Sequence, residues 1–158
     1  METTANKTTA TLLQLSALTQ YFFPFGNFIF PVLIWSAKKN ESEFVDYNGK
    51  QAINFQLSLF IYAIVIVIIS IPVFIYCLFS SVDFAFLDNS DWVIESNSRW
   101  VVENFDTEKI PSLIAIAAIV GFILVVMKVA EFFLIIYSVV KNSNGIKSNY
   151  PFTIKFIK

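Results

Sequence analysis

From Gln51 to Val82 the chain carries no Asp, Glu, Lys or Arg, and its centre, Leu57–Phe79, is 23 residues rich in Ile, Val and Phe. A run of about 20 apolar residues crosses a bilayer as a helix, because ~1.5 Å of rise per residue covers a ~30 Å hydrocarbon core. In lipid every backbone group must bond within the protein, so helices are the form this run can take. The remainder conforms: 56% of the 158 residues are hydrophobic and 15% charged, against about 45–50% and 25% in soluble domains. The expected class is an all-α membrane protein, a small helical bundle with two long transmembrane helices and a broken N-terminal segment.

Charge and residue inventory exclude several chemistries. Eleven Lys plus Arg stand against twelve Asp plus Glu, a net of −1, so no basic excess points to nucleic acid. With no His and the single Cys77, His/Cys zinc sites, Ser-His-Asp triads and intrachain disulfides are unavailable. Cys77 lies in the apolar run Phe74–Phe79, where a thiolate is poorly solvated. No catalytic residue, metal site or cofactor is expected, and the chain reads as a non-enzyme.

Residues 1–11 are polar and aperiodic, and read as a disordered tail ahead of a single membrane domain, 12–158. No signal-peptide cleavage site is expected. The first apolar segment, 12–37, is interrupted by Pro24, Gly26 and Pro31, which predicts a half-helix over about 12–22, a break, and a second helix from near Phe28. The break reads as a Pro kink, a re-entrant hairpin or a substrate-lining break that includes Asn27. A helix over 43–80 starts at Ser42 as N-cap, with Glu43 and Asp46 near the positive end of its dipole and Pro72 bending its far end. A third segment, 110–141, opens with Pro111 in its first turn and stops before Gly145.

Residues 80–109 hold seven carboxylates against Arg99 and Lys109, a net of −5. Lys38, Lys39 and Lys50 precede the second segment, and Lys141, Lys147, Lys155 and Lys158 populate the tail, 142–158. If the two long helices each cross once, both basic regions lie on one side, which the positive-inside rule makes cytoplasmic. The expected location is the cytoplasmic (inner) membrane, multi-pass, with a cytoplasmic C-terminus and an extracytoplasmic acidic loop, 81–109. Its runs Trp92–Glu95 and Arg99–Glu103 fit either a hairpin or an interfacial helix anchored by Trp92 and Trp100. Asp88–Asp91 reads as solvated carboxylates rather than a metal site.

Lys128 and Glu131 interrupt the third segment three residues apart, so they share a helix face and can pair. Ionisable groups within a membrane segment are costly and mark function by default. The apolar stretch Phe132–Val140 that follows favours a position within the bilayer, facing the interior, as either a neutral structural pair or an ion relay. Asn54 and Gln56, with Gln14 and Gln20, read as interhelical glue or as a polar path with the ion pair. Gly121 offers a small-residue face for close packing within the chain or in a dimer.

Pro24-x-Gly26-Asn27, Pro31 with Trp35, Lys38-Lys39, Ser42-x-Phe44-Val45-Asp46, Gly49-Lys50-x-Ala52, Asn54-Phe55-Gln56 and the closing Lys141, Gly145 and Tyr150-Pro151-Phe152 together resemble the DUF4870, or Tic20-like, family. The resemblance covers roughly 12–62 and 134–158. It implies a small multi-pass membrane protein of unassigned activity, remotely similar to a chloroplast inner-envelope import component. Asn48 stands where members often carry His, and the acidic loop is long for the pattern. The expected role is a non-catalytic subunit or accessory factor of a larger membrane complex, partnered by the lipid bilayer and by a membrane protein or a second copy. The alternative is a small oligomeric transporter or channel component using the broken segment and the Lys128/Glu131 face.

Overall fold

A computed structural model of the chain describes residues 2–80 and 110–157. Among them are four α-helices and no strand: α1 (Thr4–Ser16), leading into a 3-10 turn (Ala17–Tyr21), α2 (Gly26–Lys38), α3 (Glu43–Ser80) and α4 (Ile110–Ser143). The expectations for 81–109, including the hairpin or interfacial helix, Trp92, Trp100 and Asp88–Asp91, fall outside the described residues.

The polar N-terminus is helical, which corrects the expected disordered tail. Thr3 caps α1 by accepting the Asn6 N–H on its Oγ1 at 3.2 Å. Ala10, Leu13, Gln14 and Ala17 are all buried, one stripe at helical spacing. Two of the four are alanines and one is an amide, so hydropathy alone does not reveal the stripe.

The break falls at Phe22–Phe25, and α2 begins at Gly26, two residues before the expected start. Phe25 adopts φ 62°, a left-handed conformation uncommon outside glycine. A Cβ on Gly26 would lie 2.6 Å from Thr19 Oγ1 and 2.8 Å from the Thr19 carbonyl carbon, so the chain reverses only with glycine there. Pro31, expected to contribute to the break, is instead buried inside α2. It removes one N–H, the partner of the Asn27 carbonyl, and α2 continues through it.

α3 starts where Ser42 accepts the Phe44 N–H on its Oγ at 3.1 Å. It runs unbroken through Pro72. α4 closes with paired reverse bonds, Ile146 N–H to Lys141 O at 3.0 Å and Gly145 N–H to Asn142 O at 2.9 Å, with Gly145 at φ 75°.

The chain divides into two compact units. In the unit formed by Met1–Ala63 and Val125–Lys158, α3 is the central element: residues 51–56 are buried on every side. Gln14 bonds to the Asn48 carbonyl, Asn27 to Gln56 and Trp35 to Asp46. The order of those α3 positions shows that α1 descends along α3 and α2 returns, so residues 12–37 form a hairpin. Phe55 stacks on Tyr150 at 4.1 Å, with Ala17 and Ile135 completing the small apolar core.

In the unit Ile64–Leu124, the halves of α3 and α4 flank a groove of about 410 Å³ whose lining includes Phe74, Ile116 and Gly121. A Cβ on Gly121 would meet nothing within 4 Å, so among the described residues the close packing expected either within the chain or in a dimer is not made within the chain. α3 and α4 are both long and apolar enough to cross a membrane. Only 6% and 0% of their most apolar windows are buried, the reverse of a soluble core helix.

The two glycines therefore predict opposite outcomes. Gly26→Ala forces Cβ onto the Thr19 backbone and should cost about 1–3 kcal/mol. Gly121→Ala should be neutral or stabilise by up to about 1 kcal/mol, since alanine is the better helix former and the space is open. Thermal unfolding of the purified variants in detergent distinguishes the two; equal losses would contradict the packing described.

Candidate functional site

The hairpin carries Gln20 to α4, where a closed ring of three hydrogen bonds forms. Lys128 Nζ donates to Glu131 Oε2 at 2.8 Å and to Gln20 Oε1 at 2.8 Å, and Gln20 Nε2 donates to Glu131 Oε1 at 2.7 Å. Both carboxylate oxygens are thereby occupied. The pairing is one-sided: the Glu131 side chain is 1% exposed and that of Lys128 56%. This differs from the expectation that both face the interior. Gln20 seals the carboxylate and leaves the ammonium at the surface of a cavity.

That cavity, about 330 Å³, lies at the helix break. Gln20, Asn27 and Lys128 form its polar wall, and Tyr21, Phe25, Phe28 and Phe60 supply aromatic rings. Asn27 is held by donating to Gln56 Oε1 at 2.8 Å. The break residues Phe25 and Asn27 and the ion-pair residue Lys128, far apart in sequence, thus line one space. Pro24 and Gly26 shape it through the turn, and Pro31 stands apart inside α2.

Asn54 lies elsewhere and has another task. Its Oδ1 accepts the N–H groups of Phe156 and Ile157 at 3.2 and 2.9 Å, and its Nδ2 donates to the Ile157 carbonyl at 2.9 Å. Four residues on, Ser58 Oγ accepts the Ile154 N–H at 2.8 Å, and Tyr62 donates to the Phe152 carbonyl at 2.7 Å. One face of α3 therefore satisfies the backbone of a non-helical C-terminal segment side chain by side chain.

A second buried polar network joins the two ends of the chain. Asn48 Oδ1 accepts both the N–H and the hydroxyl of Ser148, at 2.9 and 2.8 Å. Gln14 Nε2 reaches the Asn48 carbonyl and Ser148 Oγ, each at 3.3 Å, while Tyr150 donates to Gln14 Oε1 at 2.5 Å. Burial pushes the Tyr150 pKa well above its usual value, so the hydroxyl remains a donor. Above this network Lys147 pairs with Glu43 at 2.6 Å, which raises the lysine's pKa through that hydrogen bond.

The sequence reading singled out Asn54 and Gln14 but not Ser58, Tyr62 or Ser148, and it named Tyr150 only within the closing motif of the resemblance. Spacing holds a partial signal: Asn54, Ser58 and Tyr62 recur every four residues on one helix face. Nothing local announces that their partner is backbone about a hundred residues away.

Compared with known families, residues 5–157 match the magnetosome magnetite crystal formation protein family (MamF/MmsF). The chain belongs to that family. This match corrects the DUF4870/Tic20-like resemblance. The residues that carried the resemblance are largely architectural: Gly26 packs on Thr19, Gly49 on the Trp35 indole, Trp35 bonds to Asp46, and Asn54 holds the C-terminal segment. Residues that build a hairpin report a shape rather than an assignment. No curated protein and no solved structure matches the chain.

The ring of bonds predicts an asymmetric response. Lys128→Leu strands a buried carboxylate with one donor and should destabilise by about 1–3 kcal/mol, below the usual figure for a wholly buried pair because the lysine is half exposed. Glu131→Leu leaves an ammonium that turns to solvent and should cost less. The Leu/Leu double variant should recover most of the loss, read from unfolding midpoints; simple additivity would show that the pair is not coupled.

Proposed function

We propose that the chain is an integral protein of the magnetosome membrane that takes part in magnetite crystal formation as a non-catalytic accessory factor, acting through lipid and other membrane components. The observation that carries this reading is the family match, which spans nearly the whole chain. Two long apolar helices with outward-facing surfaces support membrane insertion. The lack of His and the sole Cys77 support a role without catalysis.

In the proposed topology α3 and α4 each cross once and the α1–α2 hairpin enters from the basic side and returns to it. Lys38 and Lys39 end the hairpin beside the start of α3, consistent with the positive-inside rule. Both termini then lie on the cytoplasmic side, and the acidic residues 80–109 lie on the other, which in a magnetosome is the lumen.

The second reading, a small oligomeric transporter or channel component, draws on the cavity that unites the helix break with Lys128. The Leu/Leu double variant separates the two. A folded variant that still supports normal crystals fits the accessory role, and a folded variant that abolishes them favours transport.

Two outcomes are expected. Deleting the gene in a magnetosome-forming host should change magnetite crystal size or number in electron micrographs, with restoration by the intact chain; unchanged crystals would remove the proposed role. Single cysteines placed at the exposed positions Thr8 and Asn149 in a Cys77→Ala background should both react with an impermeant thiol reagent on isolated intact magnetosomes, while cysteines within 83–108 react only after the vesicles are permeabilised. Protection at Thr8 would show that residues 12–37 cross.

A further inference from the structure

Among the residues that line the cavity at the helix break, Lys128 carries a charge and none is a carboxylate. Lys128 Nζ commits two of its three N–H groups, to Gln20 and Glu131, and is 56% exposed at the cavity wall. Asn27 is the second residue of α2, so its backbone N–H precedes any carbonyl the helix can offer, and α2 has no side-chain cap. Such groups carry the positive end of the helix dipole. Glu131 is sealed behind Gln20 and Lys128 with both oxygens taken. A cation would meet the ammonium, and a wholly apolar ligand would strand these donors. The complementary ligand is an anion able to accept several hydrogen bonds.

The opposite wall narrows the class. Tyr21, Phe25, Phe28 and Phe60 would desolvate a small free ion without compensating it, but they suit the glycerol and first acyl carbons of a lipid. Position agrees. On α3 the apolar, lipid-length run Leu57–Phe79 opens after Gln56, three residues before Phe60; on α4 the uncharged run 110–127 stops at Lys128. Phe60 and Lys128 line the same cavity, so two separate sequence boundaries meet there. In a bilayer spanned by those runs, the cavity opens at the level of the phosphates. Tyr21, which lines the cavity and is exposed, fits an interfacial aromatic belt at this level.

We propose that this cavity binds a phosphate ester, that of a membrane phospholipid headgroup, with Lys128 and the start of α2 as donors and the four rings against the glycerol. Its position, though not its donor chemistry, rests on the membrane reading above. Micellar binding tests the site apart from topology, which cysteine labelling addresses.

The test uses the full chain in a neutral detergent. Unfolding temperature is followed while short-chain phosphatidylglycerol, diacylglycerol of equal chain length, or inorganic phosphate is added. Phosphatidylglycerol should raise it saturably and diacylglycerol should not. The Lys128→Gln/Glu131→Gln double variant, which keeps the buried amide contacts, should bind about tenfold more weakly, and Lys128→Arg should retain binding. Should the double variant not fold, Asn27→Asp places a carboxylate in the cavity at a position where helix starts favour one, and should weaken binding likewise. A response to inorganic phosphate equal to that of the lipid supports the phosphate site and assigns its source to solution; no response assigns it to the headgroup. Equal shifts from diacylglycerol, or undiminished lipid binding in folded variants, overturn the proposal.

Discussion

A backbone group that is neither helical nor hydrated must be bonded by something else, and this requirement organises the unit around α3. The chain after Gly145 is not helical, yet it lies against α3. It is accommodated because Asn48, Asn54, Ser58 and Tyr62 present side-chain donors and acceptors at four-to-six-residue spacing along the helix. Remove that lattice of bonds and the C-terminal segment loses its seat. Tyr150 would then leave its stack on Phe55 and its bond to Gln14, and α1 would lose a partner.

The same accounting explains the hairpin. A reversal inside an apolar segment frees carbonyls and N–H groups, and the chain limits the damage by tightening first. The 3-10 turn Ala17–Tyr21 keeps bonds local, the Phe22 and Phe23 N–H groups return to the Thr19 carbonyl, and Phe25 takes a left-handed conformation that lets Phe28 and Ile29 bond back to it. Side chains then tie the reversal to its neighbours: Gln56 of α3 accepts from the Asn27 amide, and Gln20 in the turn bonds to Lys128 and Glu131 of α4. The cavity is the space left between those two anchor points. Its mixture of one ammonium, amides and rings follows from what a reversal demands of its neighbours.

The proposed membrane setting changes how the apolar surface is read. Exposed residues such as Ile69, Ile119 and Phe122 would mark an aggregating protein in water. On α3 and α4, whose apolar windows are almost wholly unburied, such residues would face acyl chains in that setting, and buried polar groups would take over the specifying role of a core.

Much of the architecture was legible in the chain itself. Ser42, Pro111 and Gly145 mark helix ends through capping chemistry that acts over a few residues, and the uncharged runs mark the long helices because length and charge are one-dimensional quantities. Pro24 and Gly26 located the break for the same reason. The polar N-terminus misled, since α1 buries alanines and a glutamine that carry little hydropathy signal. Only the tertiary structure decided that residues 12–37 turn back, that Glu131 is sealed while Lys128 is open, and that Asn54 serves the C-terminal backbone rather than a neighbouring helix. Those outcomes depend on hydrogen-bond partners about thirty to over a hundred residues distant, and a donor's identity never states in advance which acceptor the fold will bring to it.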